Sequence, residues 1–164
     1  MRLVLLELNE INFDAVRHYL SKGIELPGFK KMFDEGLYTT TSESIYENLE
    51  PWIQWPSAHT GLTYEQHKVF RLGDFVNAGH EQIFEKIESK GFSVGAISPM
   101  NASNNLKRPA YFIPDPWTET KSDGSFLSRN ISSAISQAVN DNSQSKLTLS
   151  TIFSLILAFF IYVR

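Results

Sequence analysis

Two clusters in this 164-residue chain hold side chains that could do chemistry. The first is Glu7 with Asn9, which follow the apolar residues 3–6. If that run is a strand, both stand at its C-terminal end, where open α/β sheets place their ligands. Oxygen donors there suit a hard or borderline divalent metal. The plain alternative for Glu7 is a strand-end carboxylate in solvent or in a local ion pair. The second cluster is EPWIQWPSAHTG, residues 50–61, which packs Glu50, Trp52, Trp55, His59 and several hydroxyls around an expected helix start. Backbone N–H groups at such a start attract phosphate or carboxylate. Here the alternative is a Trp-anchored structural helix with a satisfied core histidine.

Composition narrows the chemistry. The chain has no cysteine, which excludes disulfides, thiolate metal sites and cysteine nucleophiles. Its four histidines are His18, His59, His67 and His80, and none lies beyond residue 80. No G-x-S-x-G turn is present to raise a serine nucleophile. With 15 basic and 18 acidic residues the net charge is -3, which gives no electrostatic footprint for nucleic acid. The apolar start is too short for a signal-peptide core, so a cytoplasmic location is expected and the sequons at Asn101 and Asn130 carry little.

The elements that must position these residues follow from periodicity and punctuation. Residues 3–8 form a nearly continuous aliphatic run, as in a strand buried on both faces of a parallel sheet. Ile11, Val16 and Leu20 then mark a helix closed by Gly23, and Leu26-Pro27-Gly28 opens a second helix carrying Phe29, Met32 and Phe33 up to Gly36. Pro51 suits the first position of a helix, with Glu50 before it at the positive helix end. Ile83, Phe84 and Ile87 with Gly91 mark another helix, and FSVGAI (92–97) reads as a second buried strand. Residues 99–117 hold four of the seven prolines and read as an extended excursion without regular structure. A helical period returns in Phe126, Ile131, Ile135, Ala138 and Val139. This rhythm predicts an α/β fold.

In order and spacing, VLLELNE, LPGFKKMFDEG, WIQWPSAHTGLTYEQH and IFEKIESKGFSVGAISP resemble the opening of the alkaline phosphatase superfamily. That superfamily includes type I phosphodiesterases, sulfatases and cofactor-independent phosphoglycerate mutases, and the resemblance covers residues 2–99. It implies the N-terminal part of a three-layer sheet with helices on both faces. It implies Zn, Mn or Mg held near Glu7, or near Asn9 in the other register, and a phosphorylated or sulfated substrate undergoing ester hydrolysis or transfer. The nucleophile position, ten residues before Gly61, falls on Pro51, which cannot attack. Either Glu50 then serves as base or metal ligand, with Trp52 beside it at the helix start that holds the anion, or this branch does not use the covalent phospho-enzyme route. The family draws further Asp and His ligands from a later half, so this chain is expected to be a truncated, inactive portion. The alternative is a non-catalytic scaffold or membrane-associated member lacking the nucleophile.

Residues 147–163 are apolar apart from Thr148, Ser150, Thr151 and Ser154. Seventeen residues lie at the lower limit for a membrane span. Two placements stay open: the core or cap of a longer parent, or a tail inserted in a bilayer with Lys146 and Arg164 at its edges. The expected domain plan is an α/β portion over 1–117, a polar amphipathic helix and linker over 118–146, and an apolar helix over 147–164.

Overall fold

The computed structural model describes residues 3–38, 43–140 and 148–162. It has two compact units, Met1–Ser44 and Ile45–Arg164.

In the first unit, helix α1 spans Phe13–Ser21 and helix α2 spans Pro27–Glu35. Asn12 caps α1, its side-chain oxygen accepting from the Ala15 N–H at 2.9 Å, which satisfies one of the helix's orphan donors. Pro27 opens α2, where its missing N–H is no loss. The two helices meet through Phe13 and Phe33, packed edge to face at 5.9 Å between centroids.

The second unit runs through a 3-10 turn at Tyr46–Asn48, helix α3 at Pro51–Thr60, a single turn α4 at Tyr64–His67 and a 3-10 turn at Asp74–Asn77. Helix α5 at Ile83–Ser89, strands β1 at Gly95–Ile97 and β2 at Tyr111–Ile113, and helices α6 at Phe126–Asn140 and α7 at Leu149–Tyr162 follow. β1 and β2 pair in parallel, Ala96 opposite Phe112. Around them Phe84, Val94, Ala96, Ala102 and Phe112 form a small apolar core, with Phe84 edge-on to Phe112 at 6.2 Å.

Three expectations are corrected here. The described residues are mostly helical with one two-stranded sheet, so the three-layer alkaline-phosphatase-like fold is absent, and the resemblance to that superfamily falls with it. The physical reason lies in residues 3–8. They adopt no strand, and Leu3, Val4, Leu5, Leu6 and Leu8 are between 53% and 79% exposed. An aliphatic run fits a buried strand, but it does not supply the neighbours that make a ladder. Within 92–97 only Gly95–Ile97 is strand, and Ile97 is exposed. The excursion over 99–117, read as irregular, contains β2.

The membrane placement is also corrected. α7 has 14 residues, which at about 1.5 Å per residue falls well short of the roughly 30 Å hydrocarbon core. No described helix is long and apolar enough to cross a membrane. Lys146, Leu147, Val163 and Arg164 lie outside the described residues.

Candidate functional site

Helix α3 starts where the sequence places it, with Pro51 first and Glu50 as the preceding cap residue. Its interior holds a proline, Pro56, which has no N–H to give to the carbonyl four residues back. That carbonyl belongs to Trp52, and the structure supplies another donor: Asn101 Nδ2 lies 2.7 Å from the Trp52 oxygen. The same amide group donates to the Arg71 carbonyl at 3.2 Å, and Asn101 Oδ1 accepts from the Gly73 N–H at 2.9 Å. Asn101 is fully buried and left-handed, with φ 48, a conformation Asn tolerates better than most residues. Its own N–H is received by Asp115 Oδ2 at 2.8 Å, and Asp115 Oδ1 also accepts from the Trp117 N–H at 3.0 Å. One amide side chain therefore ties the α3 backbone at Trp52 to the segment at residues 71–73.

Between those two segments lies an open groove of about 520 Å³, lined by Tyr46, Glu47, Glu50, Trp52, Ile53, Phe70, Arg71 and Leu72. Its volume is that of a small-ligand cleft. The 3-10 turn carrying Tyr46 and Glu47 is held to α3 by Gln54, whose Nε2 donates to the Asn48 carbonyl at 2.5 Å. Ile53 is the buried floor. Three aromatic rings and two carboxylates thus share one groove, with a single guanidinium at Arg71.

The wall at residues 70–72 is set by His67. Its Nδ1 accepts from the Val69 N–H at 3.0 Å, which leaves the ring proton of the neutral imidazole on Nε2. Nε2 faces Ser57 Oγ at 2.9 Å and so donates to it. A histidine that gives a proton to a serine hydroxyl is not placed to take one from it, and the pair is structural. Burial pushes the His67 pKa below its ordinary value, and the neighbouring His80 adds to the effect against a small opposing pull from Glu65. His80 itself donates through Nε2 to the His67 carbonyl at 3.1 Å.

Of the residues singled out in the sequence, Glu50 and Trp52 are brought together in the groove. Glu7 and Asn9 lie near each other along the chain in the first unit, with Glu7 half-buried and Asn9 exposed. Among the described residues no group of three or more His, Asp or Glu could hold a metal ion. With neither sheet core nor metal cluster, the metal-dependent phosphoester or sulfoester hydrolase reading, whole or truncated, is corrected, as is the scaffold member of that family. Sequence reasoning missed Asn101, Tyr46, Glu47 and Phe70. The signal for Asn101 was present in Pro56, since a proline inside a helix announces a carbonyl that needs a distant donor.

Comparisons of the chain with protein-family models, with curated proteins and with solved structures find no match in any of the three.

Proposed function

We propose that this chain is a binding module for an organic cation, received in the groove between α3 and residues 70–72. The observation that carries this reading is the lining: the rings of Tyr46, Trp52 and Phe70 together with the carboxylates of Glu47 and Glu50. Aromatic faces attract an alkylated ammonium or a guanidinium through their quadrupoles, most strongly where water is partly excluded. Two carboxylates against one guanidinium leave the groove net acidic, which favours a cation over an anion. The exposed apolar surface of Leu72 beside Phe70 suits a ligand with a hydrocarbon body.

The test compares choline with 3,3-dimethylbutanol, its uncharged isostere, by titration calorimetry on the full chain. Cation–π and carboxylate attraction together are worth about 1 kcal/mol or more, so choline is expected to bind at least about fivefold more tightly. Glu50→Gln and Trp52→Leu should each shrink that preference while the helical circular dichroism stays unchanged. Equal binding of the two compounds, or tighter binding of the alcohol, overturns the reading.

A further inference from the structure

Helix α7 carries its large side chains on the side facing away from the protein. Toward α6 it presents Thr151, Ser154 and Ala158, of which Thr151 and Ala158 are buried, and the Thr151 hydroxyl donates to the side-chain oxygen of Gln137 on α6. On the opposite side Ile152, Phe153, Leu155, Ile156, Phe159 and Phe160 are exposed, the three phenylalanines to 66%, 62% and 66%. At 3.6 residues per turn these six fall within one broad face, and that face runs the length of the helix. We infer that a second copy of this chain covers it, the two α7 helices packing antiparallel about a two-fold axis near Ile156.

Three features of the helix point to a second copy. The first is area. A phenylalanine side chain buries about 150–250 Å². The exposed fractions of the three phenylalanines with those of Ile152, Leu155 and Ile156 then come to roughly 600 Å² from each copy, or about 1,200 Å² for the pair, the lower end of the range for stable, specific interfaces. The second is self-complementarity. An antiparallel pair centred between Phe153 and Phe160 sets Phe153 of each copy beside Phe160 of the other, so one patch serves both sides of an isologous contact. The third is charge. The segment LSTIFSLILAFFIY has no ionisable group except its last residue, so two copies meet without like-charge repulsion. It also lacks the lysines and arginines that line the polar face of a helix lying on a lipid surface.

Sedimentation velocity of the full chain across a concentration series is expected to show the mass of one chain rising to two and stopping there. Phe153→Glu with Phe160→Glu should hold the mass at one chain at every concentration, with unchanged circular dichroism because both side chains are exposed. The chain has no cysteine, so single cysteines report proximity directly. Ile156→Cys should be joined to a second copy by a short bismaleimide, and Ser133→Cys on the exposed side of α6 should not. Because this arm leaves the helix charge unaltered, it decides the question if the glutamate variant misfolds. A mass of one chain throughout, growth beyond two copies, equal cross-linking of the two cysteine variants, or co-flotation of the monomer with phosphatidylcholine vesicles overturns the inference.

Discussion

The contacts of Asn101 predict a sharp difference between two substitutions at one position. In Asn101→Gly the left-handed backbone at φ 48 stays strain-free, but the carbonyls of Trp52 and Arg71 lose a donor and the Gly73 N–H loses its acceptor. Each side-chain hydrogen bond contributes about 1 kcal/mol net, so the three together make a loss of about 3 kcal/mol. Asn101→Ala loses the same bonds and adds the left-handed penalty of a β-carbon, about 1 kcal/mol or slightly more, for a total of about 4 kcal/mol. Urea unfolding followed by circular dichroism gives both values, provided the slope with denaturant is unchanged between variants. The reasoning fails if Asn101→Ala loses less than about 1 kcal/mol, or if the glycine variant is no more stable than the alanine variant. Since Asn101 ties both groove walls, Asn101→Gly should also weaken choline binding, a readout that general destabilisation of the folded state does not move at saturating folded protein.

Pro56→Ala restores the N–H that the Trp52 carbonyl lacks, so combining it with Asn101→Gly should recover about 1 kcal/mol relative to the sum of the single changes, as a double-mutant cycle in urea would measure. His67 has a folded pKa held below the unfolded value of 6.5, so its contribution to stability is full above that value and is lost as pH falls through the folded pKa. Unfolding at neutral pH and at mildly acidic pH should show this loss, and His67→Phe should flatten it. At Asp123 burial raises the carboxyl, but hydrogen bonds from Ser125, Ser128 and the Phe112 N–H outweigh it and hold the pKa at about 2, against an ordinary 3.8. Its folded pKa is depressed, so the stabilisation is present above 3.8 and disappears as pH falls toward 2. The carboxylate keeps some contact with solvent, and after allowing for screening Asp123→Asn should lose about 1–2 kcal/mol at neutral pH and almost nothing near the acid end.

The helices were legible in the sequence because their signals are local. Pro27, Pro51 and the glycines at 23, 36 and 91 punctuate α1, α2, α3 and α5, and apolar residues mark α6 and α7 after them, whereas Asn12, the cap of α1, went unread. Strands are different, because a strand exists only through its neighbour. Residues 3–8 have the composition of a buried strand and adopt none, whereas Tyr111–Ile113, among prolines, pairs with β1. Glu50 and Trp52 were found as a pair because they flank a helix start, but the facing wall at Phe70 and Arg71 is brought in by a bond from Asn101, 30 positions from Arg71 and 49 from Trp52. Asn101 itself read only as a sequon, since nothing near it in the chain shows what its amide will meet.

In the second unit, buried amides and carboxylates do work that a larger sheet does elsewhere. A parallel sheet of two three-residue strands is too small to hold its own loops, since three or more strands or a packed helix are needed for stability. Gln82 closes one gap, its amide donating to the Ser103 carbonyl and accepting from the Ser103 N–H. Asp115 and Asn101 close the next, and Asp123 fastens the β2 backbone at Phe112 to the first turn of α6 through Ser128. These bonds join helix and loop segments to one another or to β2 rather than strand to strand, and each depends on one side chain with donors and acceptors in fixed places. Loss of one such group leaves its partners buried and unpaired, a larger penalty than removal of an apolar contact of equal size. The groove inherits this dependence, because its two walls are joined at the backbone by Asn101. Asn101→Gly, at a buried position that does not itself line the groove, should therefore alter binding there as well as stability.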